Sequence, residues 1–162
     1  ALPICCENVA AAICKHHPEV KSLRDANYEL LDEVRGEVSK EDALRAHYVI
    51  GEKERVMEVS AALEKEDYEE VGKKMYETHD GLSREYEVSC PELDFLVDVA
   101  RDCGVSGARV MGGGFGGCTI NLVSQELYAN FIDKARKSYQ EKFGKAPIVI
   151  DVVIGDGARK LC

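Results

Sequence analysis

The sequence contains no apolar run that approaches the roughly 20 residues needed to span a bilayer. Its N-terminus lacks the basic region, long apolar stretch and cleavage site of a secretory signal. Basic residues are outnumbered, with 21 Lys and Arg against 30 Asp and Glu and a formal net charge of -9. This acidic balance offers no electrostatic surface for nucleic acid or for an anionic membrane. We therefore expect a soluble, cytoplasmic protein with neither nucleic acid nor a membrane as partner; sequestration in an organelle stays open.

Cysteine pairs with the spacing of a zinc knuckle or a redox motif are missing. No two cysteines form a C-x-x-C pair, and their odd number makes a disulfide framework a poor explanation. The nearby histidines complete no known zinc spacing, so we predict no metal site. We expect small buried thiols in a reducing compartment, with one or two facing solvent. The seven cysteines are Cys5, Cys6, Cys14, Cys90, Cys103, Cys118 and Cys162.

Recognisable catalytic groups are scarce. The sequence has no serine nucleophile elbow and no acid–base pair at a recognisable spacing. His79 and Asp80 are adjacent, but neighbouring residues of a helix point about 100° apart. They cannot act on each other, and we predict that each makes its own local hydrogen bonds. The chain is therefore expected to carry part of an active site rather than a complete catalytic set.

Four helix-start signals follow one another: Ser39-Lys40-Glu41-Asp42, Asp67 with Glu70, Ser89-Cys90-Pro91-Glu92, and Ser124. Apolar residues recur near helical period after each signal. The third helix is expected to stop at Gly104 and the fourth at Gly144, because glycine readily adopts the left-handed backbone of a helix end. The predicted inward faces contain Leu44, Tyr48, Gly51, Val56, Val59 and Leu63; Tyr68, Val71, Met75, Leu82 and Tyr86; Leu93, Leu96, Val97 and Ala100; and Leu127, Phe131, Ala135, Tyr139 and Phe143.

Strand signals come late in the sequence. Thr119 to Val123 and the apolar run Ile148 to Ile154 are short and rich in β-branched residues, as strands are. Nearer the N-terminus, Ile4 to Lys15 is predicted as a helix and Leu23 to Val34 as helix or loop. No repeat or linker divides the chain, so residues 1–162 are expected to form one domain. Helices packed on a small antiparallel sheet, an α+β fold, accommodate these elements.

Between the third and fourth helices lies the most informative segment, Gly112-Gly113-Gly114-Phe115-Gly116-Gly117. Ordering a glycine costs roughly 0.5 to 1 kcal/mol relative to alanine. Glycines are therefore expected where the backbone needs positive φ or lies against another group with no Cβ between them. A phosphate, a sugar or another glycine loop is the usual neighbour of such a backbone. The apolar residues on both sides predict a strand, a glycine loop and a second strand.

Other loops with G-x-G-x-x-G spacing fit less well. The dinucleotide fingerprint needs a helix after the glycines, whereas a strand is predicted here. The phosphate-covering loop of protein kinases needs a Lys on the next strand and an H-R-D catalytic loop, which the sequence lacks. A P-loop needs G-K-S/T where Cys118-Thr119 stands. A tight glycine hairpin that binds no ligand stays open as the alternative.

The glycine segment and its surroundings resemble a known family. Gly107 to Thr119 is similar to the third signature motif of galactokinases, which belong to the GHMP small-molecule kinase superfamily. The resemblance extends over essentially the whole chain and is clearest from Ser39 onward. The other segments that carry it are Ala46 to Glu52, Glu77-Thr78-His79 with Leu82, Tyr86 to Asp94, and Gly155 to Cys162.

This resemblance implies a two-lobed enzyme that transfers the γ-phosphoryl group of ATP, with Mg²⁺, to the anomeric hydroxyl of galactose, giving galactose 1-phosphate. The chain is similar to the C-terminal lobe alone. The sugar-recognition motif, the serine-rich phosphate loop and the catalytic aspartate belong to the N-terminal lobe, which is the expected partner, and no residue here matches them. The chain by itself is therefore expected to be inactive. The implied site residues are Gly112, Gly113, Gly114, Phe115, Gly116 and Gly117, beside the sugar and phosphate, with Arg109 as a supporting, positioning residue.

Three residues depart from the usual galactokinase pattern. Met111 stands where Thr is usual, Gly81 where Ser is common, and Thr78 in place of Ser. Loss of the Thr hydroxyl beside the loop leaves the local hydrogen bonding and the preferred sugar open. Two other functions also stay open. One is a galactokinase-like sensor that binds ATP and sugar without catalysis, and the other is a free-standing interaction domain with a bare glycine hairpin.

Overall fold

The α+β class predicted from the sequence is confirmed by a computed structural model, which describes residues 2–153, 155 and 157. β1 and β2 pair antiparallel, with Val110 opposite Thr119. The described elements, in chain order, are α1 (Leu2–His16), α2 (Tyr28–Glu33), α3 (Lys40–Glu64), α4 (Tyr68–Arg84), α5 (Pro91–Asp102), β1 (Gly107–Met111), β2 (Cys118–Leu122) and α6 (Gln125–Phe143).

Local side-chain chemistry sets the helix boundaries. At the start of α3, Ser39 Oγ accepts a hydrogen bond from the Asp42 N–H at 3.0 Å. At the start of α4, Asp67 Oδ1 accepts one from the Glu70 N–H at 3.0 Å. A cap of this kind stabilises a helix by about 1 kcal/mol. At the other end of the chain, α6 is closed by Gly144, whose φ of 73° is left-handed, as predicted.

Two groups of buried apolar side chains form the interior. One joins α1, α2 and α3, and the other joins α5, β1 and α6. Helix α4 packs against both α3 and β1 and so connects the two halves. Burial of such side chains is the main stabilising term, at roughly 25 cal/mol per Å² of apolar surface. The first group contains Val9, Ala12, Ile13, Val20, Leu23, Ala26, Leu31, Val34, Ala43, Ala46 and Ile50, and the second contains Val97, Val99, Ala100, Val105, Ala108, Phe131 and Ala135.

Two glycines bring β1 against α4. Gly72 of α4 faces Gly107 of β1 so closely that a Cβ on either residue would overlap the backbone of the opposite segment. One helical turn further along α4, the Tyr76 hydroxyl donates to the Val105 carbonyl at 2.8 Å. The strand that leads into the glycine loop is therefore fixed to α4 by direct backbone contact.

The strand predicted over Ile148 to Ile154 is wrong for residues 148–153, which are irregular; Ile154 lies outside the described residues. Ile148 is 89% exposed and Val153 is 96% exposed. β-branched residues favour a strand only where a neighbouring strand and an apolar surface receive them. The described sheet pairs β1 with β2 and does not include this run. The preference of its β-branched residues for a strand is therefore not supported by a neighbouring strand.

The inward face predicted for α3 is wrong in part. Leu44, Val56 and Leu63 are 43%, 59% and 50% exposed. The buried face of α3 instead combines four small residues, which let the neighbouring helices approach, with Tyr48 and Ile50, and the other large side chains stay partly exposed. The buried residues of α3 are Ala43, Ala46, Tyr48, Ile50, Gly51 and Ala62.

Two further N-terminal predictions have clear outcomes. Helix α1 is confirmed, with bounds slightly wider than the predicted Ile4 to Lys15. The segment left as helix or loop contains both, since a turn leads to the short α2, which is capped by the side chain of Asn27.

Candidate functional site

The glycine loop, residues 112–117, connects β1 to β2, and its backbone is left-handed at every residue except Gly113. The φ angle is 85° at Gly112, 79° at Gly114, 127° at Gly116 and 93° at Gly117, a region that L side chains rarely adopt. Phe115 has a φ of 57° and is 71% exposed. Glycine at these four positions therefore has a conformational cause.

The tip of the loop is anchored to the turn between α4 and α5. The Phe115 N–H donates to the Val88 carbonyl at 2.6 Å. A Cβ on Gly114 would overlap that carbonyl and lie 2.7 Å from Val88 Cβ, so any larger residue would push the loop away. A Cβ on Gly113 or Gly116 would meet none of the described atoms within 4 Å. The loop therefore presents bare backbone on its outer side, as a phosphate or a sugar would require.

A buried histidine holds the strand that leads into the loop. His79 of α4 is 3% exposed, and its Nδ1 accepts a hydrogen bond from the Val110 N–H at 3.3 Å. The other ring nitrogen, Nε2, lies 3.2 Å from Asp94 Oδ1 on α5. An acceptor at Nδ1 assigns the proton to Nε2, so this ring is neutral. Burial is the largest effect and lowers the pKa of His79, although the charge of Asp94 opposes it.

Asp94 links this histidine to the turn that anchors the loop. Its Oδ1 accepts a hydrogen bond from Ser89 Oγ at 2.5 Å, and its Oδ2 accepts one from Ser83 Oγ at 3.0 Å. Ser89 directly follows Val88, whose carbonyl receives the Phe115 N–H. The carboxylate thus contacts α4 and the turn before α5 at the same time.

His79 and Asp80 have separate partners, as helical geometry predicts. Both carboxylate oxygens of Asp80 accept from Arg101 Nη2 at 2.9 Å. Sequence reasoning did not identify Val88 or Asp94 as neighbours of the loop, because their contacts join different elements. The one available signal was His79 itself, since a polar ring on an otherwise apolar helix face must find partners.

Arg109 lies on β1, three residues before the loop, and faces another surface. Its Nη1 donates to the Val110 carbonyl at 3.2 Å. Its side chain lines a groove of about 270 Å³ between α3, α4 and β2. Charged neighbours in this groove are mutually paired, since Arg55 Nε contacts Glu52 at 2.8 Å and Lys74 Nζ contacts three glutamates. The structure therefore brings the loop to Val88 but places the Arg109 side chain against the groove. The lining residues are Glu52, Arg55, Val56, Val59, Val71, Lys74, Met75, Thr78, Arg109 and Ile120.

The residues that depart from the usual pattern have local explanations in two cases. A Cβ on Gly81 would lie 2.7 Å from Tyr48 Cε2, so the packed tyrosine ring excludes Ser from this position. Thr78 Oγ1 donates to Glu52 Oε2 at 2.9 Å, a bond that a serine hydroxyl also makes. Met111, at the end of β1, is 45% exposed, and nothing in the structure explains why it replaces Thr.

Among the described helices, none is both long enough and apolar enough to cross a membrane. The part of the chain that the structure describes also holds no group of three or more His, Cys, Asp or Glu side chains arranged for a metal ion. Of the cysteines, Cys5 is buried and Cys118, directly after the glycine loop, is exposed.

The fold and the loop define the class of this domain. A family model described as GHMP kinases C terminal matches residues 59–141. The matched range contains α4, α5, both strands, the glycine loop and most of α6. The chain belongs to this family.

Similarity to particular proteins narrows the class. The chain is 43% identical to Homo sapiens galactokinase over 158 residues, which is 97% of this chain and 38% of the human protein. It is 36% identical to Thermotoga maritima galactokinase over 157 residues, 96% of this chain and 42% of that protein. The resemblance to galactokinases is confirmed, and the chain spans about two fifths of the length of these relatives.

A solved structure shows the same relationship in three dimensions. The fold matches Lactococcus lactis galactokinase complexed with galactose, with a TM-score of 0.81 and 25% sequence identity. The match covers 90% of this chain and 38% of that one. The fold and the sequence therefore agree on the family.

Proposed function

We propose that this chain is the C-terminal lobe of a galactokinase, an enzyme that transfers the γ-phosphoryl group of ATP to the anomeric hydroxyl of galactose. Residues 1–162 then form the C-terminal domain, and an N-terminal lobe completes the active site. The observation that carries the proposal is the glycine loop, held to Val88 at Gly114 and Phe115 with its outer backbone bare. The galactokinases to which the chain is similar supply the reaction and the sugar.

The loop suits phosphoryl transfer because that reaction depends mainly on positioning and electrostatic stabilisation. Successive backbone N–H groups in alternating right- and left-handed or turn conformations form concave sites that attract anions. Gly112, Gly113, Gly114, Gly116 and Gly117 carry no Cβ, so sugar and phosphate oxygens approach the backbone directly. In this proposal the loop closes the site and excludes water, while the catalytic aspartate comes from the N-terminal lobe.

ATP and Mg²⁺ are assigned mainly to that N-terminal lobe. Mg²⁺ takes carboxylate, phosphate and water oxygens in proteins. Residues 112–117 contain no carboxylate or hydroxyl side chain, so the loop does not fit a magnesium site. In this proposal the loop contributes backbone contacts with the phosphate and the sugar.

Two finer expectations belong to the same proposal. Arg109 supports the loop indirectly, by holding the Val110 carbonyl at the end of β1. We also propose that the intact enzyme works in the cytoplasm, where its proposed substrate ATP is available; sequestration in an organelle is the alternative.

Complementation between separate lobes tests this function. ADP release is measured with ATP and galactose for this chain, for the N-terminal lobe of a galactokinase, and for the two mixed. We expect release from the mixture alone, and comparison with other hexoses identifies the preferred sugar. Galactose-dependent release from this chain by itself would overturn the proposal. If the two lobes are shown to associate but the mixture releases no ADP, the sensor function is favoured.

A further inference from the structure

The entry and the tip of the glycine loop are attached to one chain of polar contacts outside the loop. At the entry to the loop, the Val110 N–H donates to His79. At the tip, the Phe115 N–H donates to Val88. Asp94 lies between the two attachments, 3.2 Å from His79 Nε2 and hydrogen-bonded to Ser89, the residue after Val88. We propose that His79 and Asp94 are positioning residues that hold the loop in its substrate-ready shape.

The contacts form a closed path because three elements meet at the carboxylate. β1 is tied to α4 through Val110 and His79, and α4 is tied to α5 through Asp94. Ser89 Oγ then ties α5 to the turn that carries Val88. Removing the carboxylate leaves β1 attached to α4 and leaves the Val88 N–H on the Leu82 carbonyl at 2.9 Å, but it removes the side-chain bond that holds Ser89, the neighbour of the loop-tip anchor.

Directional bonding, rather than packing, explains why polar groups occupy this junction. A buried imidazole costs free energy unless its nitrogens are partnered, and an apolar residue would fill the same space without that cost. The neutral ring accepts at Nδ1 and carries its proton at Nε2, toward Asp94. One histidine therefore contacts the strand on one side and the carboxylate on the other.

Hydrogen exchange of single amides, followed by NMR on the 162-residue chain, tests the positioning role without requiring activity. In Asp94→Ala we expect the Phe115 amide to exchange about tenfold faster, the loss expected for one net hydrogen bond. The Leu31 amide, in the first core group, should keep its rate. Asp98→Ala is the matched control, because Asp98 lies on the same helix, its side chain is 69% exposed and it pairs with Arg101 at 3.8 Å.

Equal Phe115 rates in Asp94→Ala and Asp98→Ala would overturn the proposal. So would a Leu31 amide accelerated as much as Phe115, since that pattern is global destabilisation. If Asp94→Ala fails to fold, Ser89→Ala removes the same bond from the side of the turn and takes its place; the same two rates are compared.

Substitution of the histidine separates its two contacts. His79→Asn keeps an acceptor near the Nδ1 position, whereas His79→Leu fills a similar volume without one. We expect the Val110 amide to stay protected in His79→Asn and to lose about tenfold of its protection in His79→Leu. Equal protection of Val110 in both variants would contradict a role for the acceptor.

The catalytic consequence rests on the proposed function. In the assembled enzyme, Asp94→Ala should lower kcat by about tenfold or more with a smaller change in KM, because a loosened loop misplaces the reacting groups. An equal loss in Asp98→Ala would refute this part. If the unaltered assembly shows no kinase activity, the proposed function fails, while the exchange measurements still decide whether the contacts order the loop.

Discussion

The glycine loop and the segment 148–153 are both exposed, but the loop is anchored through its backbone whereas the segment is held through a side chain. The loop has almost no side chains, but its backbone donates to Val88 and its entry strand donates to His79. The other segment is rich in isoleucine and valine, which are largely exposed, and its recorded contact joins Asp151 to the Tyr128 hydroxyl. A few directed hydrogen bonds therefore give the loop a defined backbone conformation, whereas apolar side chains without a receiving surface give the segment no regular secondary structure.

The largest effect is expected from Gly114→Val in the assembled enzyme. The new Cβ overlaps the Val88 carbonyl at a φ of 79°, so the loop must leave its anchor. We expect kcat/KM to fall by about 100-fold, as for a misplacement of roughly 1 Å near the reacting groups. Gly36→Ala is the control, because a Cβ at this remote glycine meets none of the described atoms within 4 Å.

The fold of the isolated chain should tolerate the same change. Since the loop can move off Val88 without opening either core group, we expect Tm to fall by no more than about 10 °C. A larger drop, measured by circular dichroism on heating, would show that Gly114 is chiefly structural and would remove the contrast between the two exposed segments.

A smaller effect is expected from Ser89→Ala. This change removes the bond from the turn to Asp94 and should lower the free energy of unfolding by about 0.5–1.5 kcal/mol in urea. The Phe115 amide should lose protection as well, because the turn carries Val88. Unchanged exchange at Phe115 would show that the turn is held by its backbone alone.

The sequence could predict whatever depends on neighbours along the chain. Ser39, Asp67 and Gly144 set helix ends through bonds to residues three or four positions away, and the dense glycines indicated positive φ. The strand at 148–153 was wrong because pairing depends on a remote edge. The contact of His79 with Asp94 could not be predicted from the sequence either, because it depends on how α4 and α5 lie against β1.

The pH dependence of stability sharpens the role of His79. Burial lowers the pKa of His79 in the folded state, and the positive charge of Arg101 lowers it further. The carboxylates of Asp94 and Asp98 on α5 and of Asp80 on α4 have the opposite, smaller effect and raise it. The folded state therefore binds fewer protons than the unfolded state, whose histidine has a pKa of about 6.5. This stabilisation is complete above that pH and is lost as the pH falls toward the folded pKa. In His79→Asn, urea denaturation between pH 5 and pH 8 should show a shallower loss of stability on acidification.

His17 supplies a control of opposite sign. A hydrogen bond to Glu33 raises its pKa, so its contribution is present below about pH 6.5 and is lost as the pH rises through the folded pKa. His17→Gln should therefore make the loss of stability at acid pH steeper. If both histidine variants shift the pH profile in the same direction, the assignment of a neutral His79 is wrong.

The smallest effect is expected from Ile150→Ser. Ile150 is 74% exposed, and surface changes away from special features usually stay within about 0.5 kcal/mol. Urea denaturation should give an unchanged midpoint, and the amide of Phe115 should keep its exchange rate. A loss above about 1 kcal/mol would mean that the segment 148–153 packs on the domain in solution.

Fusion to a working partner lobe tests the central claim most directly. This chain replaces the matching 38% of human galactokinase, and ADP release is followed with ATP and galactose. We predict galactose-dependent turnover by the chimera, abolished or reduced about 100-fold by Gly114→Val. A folded chimera that binds ATP and galactose but releases no ADP would contradict the assignment of this chain to a catalytic galactokinase.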